Sequence, residues 1–259
     1  MKIQTNNTNP KIGTSAYFIW KACRDLGHTA LLANEYDTSA DMVINVDGSK
    51  HVDEIPGKPF IFWDTDSFYH GPPEKNIWTR LFIGGCPEDL AKYPKGSIYL
   101  PHAFDEDLHR PVEINRKADV VFVGNHSPLY QERNEMIDRL KKLFDVSDTE
   151  TKFDISYTIA MNRGRLIFNK SLGKKNIPMR FFEGMAIGAL LQNYNDNLDE
   201  LATPHEHYIP YTDEEDLIKQ IRYYLDHPEK RMKLAKNARK HALKHHTYKH
   251  RVKTILSYI

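Results

Sequence analysis

Short apolar runs rich in β-branched and aromatic residues alternate along this chain with longer stretches whose apolar positions recur every three to four residues. That alternation predicts βαβ units and parallel sheets, because a strand buried on both faces reads as a continuous apolar run while its covering helix shows one apolar stripe. Met1 to Thr5 predicts a first strand. Gly13 to Leu26 predicts an amphipathic helix with Ala16, Phe18, Ile19, Ala22, Cys23 and Leu26 at helical spacing, and Thr29 to Ala33 a second strand. Ala40 to Val46, Pro59 to Trp63, Thr79 to Ile83 and Ser97 to Leu100 continue the series and complete one doubly wound domain over residues 1–107.

The pattern restarts at Ala118, where ADVVFVGN reads as a buried strand ending in Gly124, followed by a helix from Leu129 to Phe144. Between the two series, IYLPHAFDEDLHRP sets Pro101 and Pro111 on either side of an acidic turn, which suits a hinge better than the interior of an element. Residues 108–259 therefore form a second α/β domain. No internal repeat or low-complexity tract is visible apart from a Lys/His-rich helix from Pro228 onward.

With 259 residues, 40% hydrophobic and 27% charged, the chain can bury two modest cores. No apolar stretch approaches the roughly 20 residues needed to span a bilayer, and the start MKIQTNNTNPK has no signal-peptide core, so the sequence predicts a soluble cytoplasmic protein. Cys23 and Cys86 lack any paired spacing and read as reduced thiols. The near-neutral total hides an asymmetry: residues 1–107 hold 10 Lys+Arg against 15 Asp+Glu, leaving 26 against 20 for the rest. A basic second half can welcome a phosphorylated ligand, although a solvated Lys-rich helical tail accounts for most of the excess.

The chemistry concentrates in NIPMRFFEGMAIGALLQNYNDNLDEL, from Asn176 to Leu201. Pro178 precedes a helix carrying Phe181, Phe182, Met185 and Ala186, and the strand Ala189 to Gln192 follows. Arg180 and Glu183, three apart, share one helix face. A helix N-terminus there offers free N–H groups and a positive dipole to a diphosphate, and a carboxylate beside it can accept two ribose hydroxyls; a structural ion pair is the plainer reading of the same spacing. Gly124, Asn125, Ser127 and Arg133 follow the strand that ends VFVGN and can meet the same phosphate, or form a plain turn before a Pro-started helix. Arg163, Arg165 and Asn169 in NRGRLIFN add cations and an amide near it.

In the first domain Asp64 and Asp66 follow a buried strand, where α/β sheets place functional groups, and either can serve as general base or cap a loop. His102 in the hinge is a third base candidate. Asp64-Thr65-Asp66 has metal-binding DxD spacing but is read as non-metal. His241, His245, His246 and His250 fall at helical spacing without a nearby carboxylate or thiol, so they read as a solvated face; no metal site is expected.

Arg180-x-Phe182-Glu183-x-x-Ala186-x-Gly188 before a buried strand resembles the donor-binding segment of GT-B glycosyltransferases, closest to their CgeB-like (spore maturation protein) branch. Pro101, Asp105 and Pro111 are similar to the segment by which such chains enter their second domain, and His246, Thr247, Tyr248 and Arg251 fit the pattern of their closing helices. The resemblance covers the second half and the hinge. It implies two Rossmann-like doubly wound domains facing a central crevice, a last helix that crosses back to the first domain, and a donor ribose held by Glu183. Wider retaining families carry another Glu near the donor sugar where this chain has Lys175.

The implied activity is transfer of a sugar from a UDP- or TDP-like nucleotide sugar, a co-substrate rather than a tightly bound cofactor, to an acceptor hydroxyl. A surface glycan, a small metabolite and a hydroxymethylated base in DNA are the acceptor classes; for DNA, Trp63, Phe68, Tyr69 and Trp78 could stack. A nucleotide-sugar epimerase and a non-catalytic nucleotide-sugar-binding protein are the rival readings on the same fold, and no nucleic-acid-binding motif is present.

Overall fold

The computed structural model describes residues 1–6, 11–33, 37–46, 57–65, 79–150, 152–171 and 177–259. The chain divides into two compact units, one made of Met1–Ala103 with Thr247–Ile259 and the other of Phe104–His246.

In the first unit, strands β1 (Lys2–Asn6), β2 (Thr29–Leu32), β3 (Met42–Val46), β4 (Phe60–Asp64), β5 (Thr79–Gly84) and β6 (Ile98–Tyr99) form one parallel sheet in the order β2-β1-β3-β4-β5-β6. Every residue of β3 and β4 is buried, which explains why MVINV and FIFWD are apolar but for Asn45 and the terminal Asp64. Helix α1 (Ser15–Asp25) starts where the Thr14 hydroxyl accepts the Tyr17 N–H at 3.2 Å, and it buries Ala16, Phe18, Ile19, Ala22 and Cys23. Burial pushes the Cys23 thiol up to about 12, so this cysteine is an inert core residue.

The second unit carries β7 (Ala118–Val123), α2 (Gln131–Leu140), β8 (Val146–Thr149), α3 (Asp154–Met161), β9 (Gly164–Asn169), α4 (Met179–Ile187), β10 (Ala189–Asn193), β11 (Ile209–Tyr211), α5 (Glu214–Asp226) and α6 (Pro228–His245). Its parallel sheet runs β11-β10-β9-β7-β8. The strand order reverses between β7 and β9, and in open α/β sheets ligands bind at the carboxyl ends of the strands flanking such a point. One core cluster joins Phe181, Phe182, Met185 and Ala186 of α4 to Val121, Ile167, Leu190 and Ala238. A methyl group on Gly184 would lie 2.7 Å from Leu190 Cδ1, so glycine lets α4 close onto β10. The helix expected from Leu129 to Phe144 is shorter: a 3-10 turn at Pro128–Tyr130 precedes α2, and turns follow it.

Helix α6 ends at His245 with His246 as its C-cap, and α7 (Tyr248–Leu256) restarts from a capping box in which Thr247 and His250 satisfy each other's backbone groups. Tyr248 stacks on Phe18 of α1 with ring centroids 5.2 Å apart. Buried Arg251 donates to the carbonyls of Pro101 (2.8 Å from Nε) and His102 (2.8 Å from Nη2), and burial lowers its proton affinity to about 10. The histidines expected on a solvated face divide. His245 is exposed, but His241 and His246 turn inward, both with Nε2 on the Leu201 carbonyl at 2.7 and 2.8 Å, because the helix break at His246 leaves that carbonyl and two rings at one spot. Among the described residues no helix is long and apolar enough to cross a membrane, and no three His, Cys, Asp or Glu side chains group as a metal site.

Candidate functional site

Two strand ends and two helices converge in the second unit. Helix α4 begins at Met179 with no side-chain N-cap and no acidic residue in its first turn, so no carboxylate of that turn offsets the positive end of its dipole. Arg180, its second residue, adds a cation at that end. The Arg180 side chain spans the point of strand reversal: Nε donates to the Val123 carbonyl at the end of β7 and Nη1 to Asn169 Oδ1 at the end of β9, both at 3.0 Å. Its guanidinium lies 4.7 Å from the centre of the Phe122 ring.

Gly124 makes that pose possible. A Cβ there would sit 2.5 Å from Arg180 Nη2 and 2.6 Å from Phe122 Cζ, distances that real side chains do not tolerate. After it, Asn125 Oδ1 accepts the Ser127 N–H at 2.7 Å, and Asn134 Nδ2 donates to the His126 and Ser127 carbonyls at 3.0 and 3.3 Å. The loop is therefore a fixed turn. Ser127 Oγ is buried without a hydrogen-bond partner among the described residues. Arg133 of α2 donates to the Asn125 carbonyl and lies 4.8 Å from the Phe122 ring centre, so one ring carries two guanidinium groups. Lys170, just past β9, is 3.4 Å from Glu132.

A buried amide network backs the arginine. Asn169 Nδ2 donates to Gln192 Oε1 at 2.6 Å, and Gln192 Nε2 donates to Ser171 Oγ and Asn193 Oδ1, both at 2.9 Å. Asn169 and Gln192 are wholly buried, and this chain of bonds fixes the acceptor face of Asn169 toward Arg180.

One turn deeper on α4, Glu183 is 4% exposed. Tyr157 of α3 donates its hydroxyl to Oε2 at 2.5 Å, and His109 Nε2 lies 3.2 Å from Oε1. Burial, then the Glu183 carboxylate, raises the Tyr157 phenol well above its ordinary value; the Arg180 charge opposes the shift. Arg180, Tyr157 and Glu183 thus form one electrostatic cluster.

Arg180, Glu183, Gly124, Asn125, Ser127, Arg133 and Asn169 are accordingly brought to one edge of the sheet. Arg165 is not among them: as the second residue of β9 it stands at the opposite end and pairs with Asp119 at 2.8 Å. Exposed Arg163, just before β9, is at that end too. In the first unit Asp64 ends β4, is 1% exposed and accepts the Tyr93 hydroxyl at 2.6 Å. His102 follows β6; its Nδ1 is 3.3 Å from Ser15 Oγ, which lies 3.3 Å from the Tyr248 hydroxyl. Asp66, Phe68, Tyr69, Trp78 and Lys175 lie outside the described residues. The sequence reading passed over His109, Tyr157, Gln192 and Lys170. A histidine four residues after Asp105, inside a turn between two prolines, was the available signal for the first.

Residues 151–257, which include α4 and its amide network, match the family described as Glycosyl transferase-like. Solved structures share the fold over the whole chain. HepE (Alr3699) of Anabaena, solved with UDP-glucose, is 13% identical with 100% of each chain covered and a TM-score of 0.70. AviGT4, involved in avilamycin A biosynthesis, is 10% identical, covering 99% of this chain and 96% of its own, with a TM-score of 0.72. BGT of T4 phage, solved with UDP and Mn2+, is 10% identical, with 99% of each chain covered and a TM-score of 0.66. At these identities the likeness is one of fold: two parallel-sheet Rossmann-like domains of the GT-B type. No curated protein matches the chain by sequence.

Proposed function

We propose that the protein is a glycosyltransferase that moves a sugar from a UDP-type nucleotide donor to an acceptor hydroxyl. The observation that carries this reading is the Arg180–Glu183 pair on α4, set at the strand reversal of the second unit with a cation toward the helix N-terminus and a carboxylate one turn below. The glycosyl transferase-like match over the same stretch, and fold neighbours solved with UDP or UDP-glucose, support it.

In this reading the diphosphate lies against the α4 N-terminus and the Arg180 guanidinium, with Arg133 and Lys170 as further positive charge. Charge grows on the leaving diphosphate as the anomeric bond breaks, so cations already held in place stabilise the transition state without reorganising. Glu183 accepts the ribose hydroxyls. Acceptor activation is assigned to the first unit, where Asp64 at the end of β4 and Asp66, two residues later in the sequence, are the general-base candidates, with His102 as a third. The motif Arg180-x-Phe182-Glu183-x-x-Ala186-x-Gly188 supports the CgeB-like branch.

The test is incubation with a panel of nucleotide sugars, each with glycans, small hydroxylated metabolites or hydroxymethylated DNA, following nucleoside diphosphate release and product mass. The expected result is release that requires one sugar and one acceptor and collapses in Arg180→Ala and Glu183→Ala. Binding of nucleotide sugar without turnover, or donor isomerisation without an acceptor, overturns the transferase reading.

A further inference from the structure

The ring of His109 is sealed in the second unit, 1% exposed, and it belongs to none of the loops that carry the phosphate-facing groups. Its protonation is legible from geometry. The Asp105 backbone N–H, which can only donate, points at Nδ1 at 3.0 Å, so Nδ1 is the bare acceptor nitrogen. The proton of a neutral ring is then on Nε2, 3.2 Å from Glu183 Oε1, and it is donated to that carboxylate. Burial acts in the same sense, lowering the histidine's proton affinity against the opposing pull of Glu183 and Asp105.

The backbone that carries the ring is held from several sides. The His109 N–H donates to the Asp105 carbonyl at 2.8 Å, Arg239 of α6 donates to the His109 carbonyl at 3.2 Å, and Thr158 of α3 donates to the neighbouring Leu108 carbonyl at 2.6 Å. Tyr157 meets the imidazole edge to face, with centroids 5.8 Å apart and planes at 87°. The two donors to Glu183 therefore brace each other.

We infer that His109 and Tyr157 are positioning residues that aim the Glu183 carboxylate at the vicinal diol of a ribose, so that the site distinguishes ribonucleotides from deoxyribonucleotides; this rests on the donor-site reading given above. A carboxylate has about four lone-pair positions. Among the described residues one on each oxygen is taken by His109 and Tyr157, which leaves one on each oxygen, the number that two adjacent hydroxyls require. A carboxylate free to rotate about its last bond would present that pair of acceptors only part of the time, and binding would lose the benefit of preorganisation.

The test is isothermal titration of the full chain with UDP, 2′-deoxy-UDP and 2′,3′-dideoxy-UDP, paired with thermal unfolding of each variant. Wild type is expected to favour UDP over the dideoxy nucleotide by more than tenfold, since each hydrogen bond to a charged acceptor contributes on the order of tenfold or more. His109→Leu and Tyr157→Phe are expected to reduce that ratio to about threefold, while His109→Gln, which returns an N–H near Nε2, recovers most of it. Loss of affinity for all three nucleotides in parallel, with the ratio kept in His109→Leu and Tyr157→Phe, overturns the positioning role and leaves the ribose reading standing. A wild type that does not discriminate between UDP and the dideoxy nucleotide overturns the Glu183 reading itself. Should His109→Leu fail to fold, Tyr157→Phe and His109→Gln decide on the same ratio.

Discussion

The two ends of the second unit's sheet use the same residue type for opposite purposes. At the amino ends of the strands, Arg239 donates to the Ala186 carbonyl at 2.7 Å and Arg116 to Ile187 at 3.3 Å, both in the last turn of α4; Arg231 donates to the Tyr224 and Leu225 carbonyls near the end of α5. Those cations meet negative helix termini and are consumed by them. At the carboxyl ends, Arg180 and Arg133 sit beside helix starts, where the dipole has their own sign; both lean on the Phe122 ring, Arg133 also on Tyr130, and both donate to neutral oxygens. Cations gathered at the positive end of a helix are stabilised by an anion, and in the proposed reading the donor's diphosphate supplies one. Arginine count and basic charge do not separate the two sets. Helix polarity does.

That contrast can be broken most sharply at Arg180. Arg180→Ala is expected to lower kcat/KM for the donor, and affinity for UDP, by about 100-fold, the upper range for losing hydrogen bonds to a charged group; calorimetry and donor kinetics measure it. Gly124→Ala tests the same site through packing. Its new methyl must displace Arg180 Nη2 or the Phe122 ring, so it should cost about 1–3 kcal/mol in urea unfolding and weaken UDP binding together. At the other end, Arg231→Met should cost about 1 kcal/mol in the same unfolding experiment while UDP affinity stays at the wild-type value. A donor-affinity loss in Arg231→Met as large as in Arg180→Ala would erase the distinction between the ends.

The smallest effect is one of pH. Burial lowers the proton affinity of His109 in the folded state, with Glu183 and Asp105 pulling the other way and the neutral Tyr157 beside it. The unfolded chain therefore takes up this proton first, at about pH 6.5. The histidine's contribution is fully present above that pH and is lost as pH falls through the lower folded value. Urea midpoints between pH 8 and pH 5 should decline more steeply for wild type than for His109→Gln.

The parts of the fold that the sequence revealed are those whose local pattern and tertiary setting agree. Strands β3, β4 and β7 are almost wholly apolar because both faces are covered, and α1 shows one stripe because one face is. Strand β8, with the sequence VSDT, is half-buried throughout and lies at the sheet edge, where partial solvation permits polar residues and leaves no run to detect. Strand β9 carried its arginine in plain view. A six-residue strand is roughly 20 Å long, so Arg165 at its start and Asn169 at its end belong to different ends of the unit, a distinction that requires recognising GRLIFN as a strand first. That Arg180 and Glu183 share a helix face was legible from their spacing, whereas the donor-site role comes from the resemblance of the whole segment. His109 was not legible, because its meaning depends on a proton location set by Asp105 and on a carboxylate carried by a distant helix.

The division of the chain has a consequence for biosynthesis. A ribosome makes residues 104–246 before it makes α7, yet α7 belongs with the first unit, where Tyr248 covers Phe18 and Arg251 binds the Pro101 and His102 carbonyls. The earliest-made strands and α1 must therefore wait, with part of their apolar surface open, while the whole of the second unit emerges and can complete its own sheet. The portion translated first is the portion finished last.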